Sequence, residues 1–209
     1  MIQGFPLRVG LAALFLGCAA CASQPMDIAA RTPAEIPVSA QEDLRTAIAA
    51  LRTRQAEAGG WTLGGDGSAR GLLGRLVGGT SAQTDTIATY LDEAGTSPAS
   101  YLAGDIVLAA GLADDVAEAA SVVASTRTPL PEALLARDIT DVEGVIASMR
   151  RARTFFQAVT VDERAGFNST ERVTVSEALT RLDAAIAALS AAADALADRR
   201  WAARNQPVS

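Results

Sequence analysis

Apolar side chains near the C-terminus recur at alternating intervals of three and four residues, and this spacing constrains the fold more than any other feature. It matches the 3.6-residue turn of an α-helix, so the apolar residues share one face. The stripe consists of Leu179, Leu182, Ile186, Leu189, Ala193 and Leu196. A capping-box pattern at Thr174 and Glu177 predicts where this helix begins. Arg199, Arg200 and Arg204 follow the stripe and complement the negative end of the helix dipole, which predicts where it ends.

A second stripe of the same spacing precedes the first. It follows Thr128 and Pro129, an N-cap residue and a proline at the first helical position. Its members are Leu135, Ile139, Val142, Ile146, Met149, Arg153 and Phe156. The spacing predicts a long helix with one buried face. Arginine occupies a position on this face that is otherwise apolar, which singles out Arg153.

Earlier in the chain, Ser39 and Glu42 form another capping-box pattern. The apolar residues that follow at helical spacing are Leu44, Ile48 and Leu51. Two consecutive glycines at Gly59 and Gly60 predict the end of this helix.

Two further helices are predicted between these regions. A capping-box pattern at residues 80–83 opens a short helix that ends at Gly95. Ser97 and Pro98 are an N-cap followed by proline, and we expect the helix that they open to continue to about Ser125.

The fold class that follows is all-α, an antiparallel bundle of about four long helices plus one or two short helices. The β-branched runs at residues 121–123 and 173–175 are short, and each lies beside a helical period. The stripes resemble those of coiled coils but are too short for a long rod, so the helices should pack within one chain. We predict a single helical-bundle domain over residues 39–209.

The N-terminus has the features of an export signal. Arg8 precedes an apolar stretch from Val9 to Leu16, and small residues with two cysteines, Cys18 and Cys21, follow at positions 17–23. The apolar stretch is shorter than the roughly 20 residues that span a bilayer. A cysteine at the cleavage point resembles the leader of bacterial lipoproteins.

The resemblance implies that residues 1–22 are a signal segment and that a cysteine thiol carries diacylglycerol, with palmitate as a typical acyl chain. Cys18 and Cys21 both remain candidates for lipidation. Neither is followed by Asp, which by resemblance to lipoprotein sorting implies an outer-membrane lipoprotein facing the periplasm. The alternative is cleavage after Ala22 by the A-x-A pattern, which would give a soluble periplasmic protein. Residues 23–38 contain three prolines and no apolar period, and we predict a flexible tether.

The composition excludes several classes of function. The chain has 209 residues and a net charge of −6, which disfavours binding to nucleic acid and to anionic lipid headgroups. It has no histidine, and all 18 basic residues are arginine. The commonest general base and metal ligand is therefore missing. We expect no catalytic residues, no metal and no cofactor.

The glycine-rich residues 59–80 are the first candidate for a binding surface. Trp61 lies at the start of this segment, and the apolar residues in its middle are Leu72, Leu73, Leu76 and Val77. Apolar residues in a connection between helices are common in recognition. The alternative is that the segment packs over the end of the bundle. The glycines at residues 64–67 lack the lysine of a phosphate-binding loop.

Arg153 and Phe156 are the second candidate, because a cleft near them could take a small ligand. The alternative is that Arg153 extends to solvent from the edge of the buried face. Gly104 and Gly111 lie seven residues apart, and we expect them to allow close approach of a neighbouring helix or, alternatively, to line a groove.

Two acidic groups are expected to be solvated helix faces. The first comprises Asp114, Asp115 and Glu118, and the second comprises Asp138, Asp141 and Glu143. Carboxylate-bridged di-iron bundles also require histidine, which this chain lacks.

Two functions remain open from the sequence. The first is a non-catalytic envelope lipoprotein, a membrane-tethered bundle that binds or scaffolds another envelope protein. The alternative is a periplasmic small-ligand-binding protein or enzyme with a cleft near Arg153.

Overall fold

The computed structural model describes residues 36–58, 61–62 and 81–205, which belong to one compact unit, Thr32–Ser209. The five α-helices of this part are α1 (Ile36–Glu57), α2 (Ser81–Ala94), α3 (Pro98–Ser125), α4 (Glu132–Val161) and α5 (Ser169–Arg204). A 3-10 turn, Glu163–Ala165, lies between α4 and α5. The described residues contain no strand. The predicted all-α bundle of four long helices and a short one is confirmed.

The four long helices alternate in direction. Gln41 near the start of α1 contacts Asp138 near the start of α4. Trp61, which follows the end of α1, contacts Phe156 near the end of α4. Helices α1 and α4 therefore run in the same direction. Arg200 near the end of α5 contacts Glu132 at the start of α4, so α5 runs the opposite way. This is the up-down-up-down arrangement of a four-helix bundle.

Helices α3 and α5 form the most extensive helix pair. Each has buried alanines at intervals of seven residues, namely Ala103, Ala110 and Ala117 in α3 and Ala178, Ala185 and Ala192 in α5. Small side chains allow two helix axes to approach closely. Fully buried leucines beside the alanines supply apolar area, among them Leu182, Leu189 and Leu196 of α5.

The predicted start of α5 is wrong by six residues, since the N-cap is Asn168 and not Thr174. The helix begins after Asn168, whose Oδ1 accepts a hydrogen bond from the Glu171 backbone N–H at 3.0 Å. The Glu171 carboxylate accepts one from the Asn168 N–H at 2.8 Å, which completes a capping box. The Thr174 hydroxyl donates to the Thr170 carbonyl inside the helix. The sequence therefore contains the capping-box pattern twice, and the helix begins at the earlier one.

Two other predicted helix starts also move. Helix α1 begins at Ile36, so Ser39 lies in its first turn, and the last three residues of the predicted 23–38 tether are helical. Helix α4 begins at Glu132 with Pro131 as its N-cap, because the Pro131 carbonyl accepts the first helical hydrogen bonds. The predicted start of α3 at Pro98 and its end at Ser125 are confirmed. The predicted signal segment lies outside the described residues.

The predicted apolar stripes of α1 and α5 are buried throughout, but the stripe of α4 differs at two places, Ile139 and Arg153. Ile139 is half-buried, while Asp138, which we expected in solvent, is only 2% exposed. The Gln41 amide on α1 donates a hydrogen bond to Asp138 Oδ2 at 2.7 Å, which satisfies the buried carboxylate. Burial raises the pKa of Asp138, and the hydrogen bond from Gln41 opposes this shift.

Candidate functional site

Five aromatic rings gather where α1 and α4 end and α3 begins, and we call them the aromatic cluster. Its members are Trp61, Tyr90, Tyr101, Phe155 and Phe156. The rings of Tyr90 and Phe155 pack edge to face with centroids 5.1 Å apart, and those of Trp61 and Phe156 lie 5.5 Å apart. Such arrangements are favourable between aromatic side chains. Trp61 and Phe156 are almost fully buried, whereas Tyr101 is 42% exposed.

The carboxylate of Asp105 on α3 joins two rings of the aromatic cluster. Its Oδ2 accepts hydrogen bonds from the Tyr90 hydroxyl at 3.0 Å and from the Trp61 indole N–H at 3.3 Å. Burial raises the pKa of Asp105, the two hydrogen bonds oppose this shift, and the nearby Glu93 adds to it. Burial, followed by the negative Asp105, raises the pKa of Tyr90. This polar contact fixes α2 and Trp61 against α3.

Trp61 adopts a backbone conformation that is unusual for a large side chain. Its φ is 43°, in the left-handed region that favours glycine. Such a conformation costs about 1–3 kcal/mol and persists where the surroundings determine it. Here the buried indole and its hydrogen bond to Asp105 hold the residue in place.

An exposed apolar face extends from the aromatic cluster along α3. We call it the α3 strip; it consists of Tyr101, Gly104, Val107, Leu108 and Gly111. The three large side chains of the α3 strip are 40–42% exposed. The spacing of the members places them on one side of the helix, opposite the face that packs on α5. The described residues thus include a partly exposed apolar surface about three turns long.

The expectation that Gly104 and Gly111 allow the close approach of a neighbouring helix is wrong for the described helices. Gly104 is exposed and Gly111 is half-buried, and no heavy atom of the described residues lies within 4 Å of a Cβ built at either position. They therefore do not admit one of the described neighbouring helices. The alanines one residue earlier, Ala103 and Ala110, are buried and face the interior of the bundle in their place.

Three carboxylates continue the exposed face beyond the α3 strip. Asp114, Asp115 and Glu118 are exposed, as predicted. Partial burial raises the pKa of Asp115, and the negative charges of Glu118 and Asp114 raise it further. No arginine occurs between residues 81 and 125 to balance these charges within α2 and α3.

A small open groove of about 230 Å³ lies beside the start of α3. Its lining includes Leu91, Asp92, Pro98 and Arg164. Arg164 forms an ion pair with Asp162 at 2.7 Å. The groove is smaller than the roughly 300–1,000 Å³ of typical small-molecule pockets.

The structure separates the predicted site residues. It brings Trp61 and Phe156 together in the aromatic cluster, both buried. Arg153 lies at the surface of α4, where its guanidinium pairs with Asp183 of α5 at 3.1 Å. The predicted binding residues Leu72, Leu73, Leu76 and Val77 and the predicted lipidation residues Cys18 and Cys21 lie outside the described residues.

Sequence reasoning did not identify Asp105, Tyr90, Tyr101 or Leu108. The α3 strip had a recognisable signal, since Tyr101, Gly104, Leu108 and Gly111 follow intervals of three and four. A second uncharged stripe on a helix that already has a buried face indicates an exposed apolar surface. The role of Asp105 had no such signal, because its hydrogen-bond donors lie on other elements.

Two further observations concern the described residues alone. They contain no group of three or more side chains placed to hold a metal ion. Among their helices, none combines the length and apolar character that a membrane span requires.

In comparisons with protein-family models, curated proteins and solved structures, no match to this chain is found.

Proposed function

We propose that the chain is a non-catalytic envelope lipoprotein, a membrane-tethered helical bundle that binds another envelope protein. The observation that carries the binding role is the α3 strip. Three large apolar side chains on one helix face, each 40–42% exposed, form a surface of the kind found at protein interfaces. The helix beneath them is held by the close pairing of α3 with α5, so the surface is rigid before binding.

The cysteine-bearing leader supports the envelope location and the membrane tether. A lipid on Cys18 or Cys21 with the tether after it would hold the bundle near the outer membrane. Mass spectrometry of the mature N-terminus tests this part. We expect an acylated cysteine at position 18 or 21, and an unmodified N-terminus at Ser23 would contradict the lipid anchor.

Photo-crosslinking in cells that produce the full chain tests the binding role. A photoreactive amino acid at position 108 should yield a covalent adduct with another envelope protein. The matched control is position 173, because Val173 on α5 is also apolar, is 57% exposed and lies outside the α3 strip. Equal adducts from both positions, or none from position 108, would contradict binding through this surface.

The alternative of a small-ligand cleft near Arg153 has less support. The Arg153 guanidinium is already paired with Asp183, and Phe156 beside it is buried in the aromatic cluster. We therefore retain protein binding as the proposed function.

A further inference from the structure

We infer that the α3 strip receives a basic amphipathic helix of the partner protein, an inference that rests on the proposed function. Such a helix would place its apolar ridge along the α3 strip and its arginine or lysine side chains beside the carboxylates at the two ends of the strip. The shape of the surface and the distribution of charge lead to this partner independently.

The shape favours a helix lying along α3. The α3 strip runs from Tyr101 to Gly111, about 15 Å at 1.5 Å per residue, which corresponds to some three turns of a partner helix. Gly104 and Gly111 leave the backbone of α3 bare, with open space where their Cβ atoms would be. Leu108 projects between them. A ridge of side chains from another helix can therefore settle between Tyr101 and Leu108 and approach the backbone closely.

The charge favours a basic partner. Residues 81–125 contain seven acidic residues and no arginine or lysine, the acids being Asp85, Asp92, Glu93, Asp105, Asp114, Asp115 and Glu118. At one end of the α3 strip, Asp105 and Glu93 lie close enough to Tyr101 to raise the pKa of its hydroxyl further after the effect of burial. At the other end, partial burial raises the pKa of Asp115, and the negative charges of Glu118 and Asp114 raise it further. Cations placed at both ends would relieve this repulsion.

The same charge argues against two other occupants. A second copy docked face to face would bring the acids of both copies together. An anionic lipid surface would be repelled as well. Residues 63–80 of the same chain and a second copy in another orientation are outcomes that the experiment distinguishes.

The test measures binding of two synthetic helical peptides to the full chain by fluorescence anisotropy. Both peptides carry leucine at intervals of three and four; one has arginine at the flanking positions and the other glutamate. We expect the arginine peptide to bind about tenfold or more tightly than the glutamate peptide, and its binding to weaken at high salt. Equal binding of the two peptides, or no binding of the arginine peptide, would overturn the inference.

Substitutions locate the binding to the α3 strip. Leu108→Asp should weaken binding of the arginine peptide about tenfold, whereas Val173→Asp should leave it unchanged. The double substitution Asp115→Asn and Glu118→Gln should weaken it about threefold or more, whereas Asp194→Asn with Asp198→Asn on α5 should not. Equal effects of a test variant and its control would overturn the inference.

The variant Gly104→Gln tests whether weaker peptide binding can arise without a loss of folding. Glutamine is a better helix former than glycine, and its side chain meets open space at this position. The variant should therefore melt at a higher temperature and yet bind the arginine peptide about threefold or more weakly, because the side chain blocks approach to the backbone. Undiminished binding by this variant would overturn the proposed close approach.

Crosslinking from position 108 separates this inference from the proposed function. An adduct with another protein together with equal binding of the two peptides would leave the proposed function standing and overturn the basic helix. An adduct with residues 63–80 of the same chain, or with a second copy, would overturn both.

Discussion

At each end of the bundle, side chains of one element donate hydrogen bonds to polar groups of another, but the donors are neutral at one end and cationic at the other. At the end that holds the aromatic cluster, neutral donors on Tyr90 and Trp61 hydrogen-bond to the half-buried carboxylate of Asp105. At the other end, guanidinium groups on α5 donate hydrogen bonds to acceptors that are exposed or partly buried. Arg199 donates to the carbonyls of Val123 and Thr128, and Arg200 pairs with Glu132.

The difference lies in how much water each end excludes. Aromatic rings around Asp105 remove water and raise its pKa, so the charged carboxylate is costly to bury and depends on its two hydrogen-bond donors. Hydrogen bonds from Arg200 and then Arg204 lower the pKa of the exposed Glu132. The aromatic end is therefore expected to depend on packing, and the arginine end on the hydrogen bonds that Arg199 donates to a carbonyl in the last turn of α3 and to one just after it.

The two tryptophans give the largest expected contrast, because one lies at each end. Trp61 is 1% exposed and Trp201 is 69% exposed. Trp61→Ala should lower the free energy of unfolding by about 3–5 kcal/mol, because it removes a buried ring and the indole donor to Asp105. Trp201→Ala should change it by no more than about 0.5 kcal/mol. Urea unfolding followed by circular dichroism checks both, and similar losses would remove the contrast between the ends.

A smaller decrease in the free energy of unfolding is expected at the arginine end. Arg199→Met keeps much of the apolar stem but removes the donors to Val123 and Thr128, so the last turn of α3 loses its cap. We expect a loss of about 1–2 kcal/mol, since the group is partly exposed. Arg181→Met, on the exposed side of the same helix, serves as the control in the same urea titration. A loss at Arg199 no greater than at Arg181 would show that the carbonyls are equally well satisfied by water.

The Tyr90 hydroxyl tests the hydrogen bond at the aromatic end apart from the packing. Tyr90→Phe keeps the ring that packs on Phe155 and deletes the donor to Asp105. A loss of about 0.5–1.5 kcal/mol is expected. Tyr101→Phe, at an exposed ring of the same cluster, should have little effect in the same measurement. If both variants unfold like the natural chain, the Trp61 donor alone suffices for Asp105.

The sequence predicted the helices well because their signals are local. The stripes of α1 and α5 and the proline and glycine at the ends of α2 and α3 lie within a few residues of the structure that they determine. Two buried or half-buried carboxylates could not be predicted, because their partners are distant. Gln41 lies 97 residues from Asp138, and Trp61 lies 44 residues from Asp105. A carboxylate on a helix is buried only where another element brings a donor, and spacing along one helix does not record that donor.

The glycines of α3 show a different reason for error. Glycine at an interval of seven is compatible with a close helix contact and equally with a bare exposed face. Ala103 and Ala110, one residue earlier, occupy the contact with the interior. The choice between neighbouring faces depends on which apolar stripe the rest of the bundle covers, and α3 has two.

The carboxylates at the two ends should respond to pH with opposite signs. The pKa of Asp105 is raised above its ordinary value of 3.8, so the folded protein binds more protons than the unfolded chain just above that pH. The stability contributed by Asp105 is then present at low pH and falls as the pH rises through its folded pKa. The pKa of Glu132 is lowered below its ordinary value of 4.5, so its contribution rises with pH up to that value.

Asp105→Asn and Glu132→Gln test these opposite pH dependences, which are the smallest of the expected effects. The free energy of unfolding of the natural chain minus that of Asp105→Asn should decrease as the pH rises from about 3.8. The corresponding difference for Glu132→Gln should increase as the pH rises towards 4.5 and then level off. Urea titrations at a series of pH values measure both differences. Because solvent and salt screen Glu132, high salt should flatten its curve more than that of the half-buried Asp105. Slopes of the same sign at both positions would show that the two ends are electrostatically alike.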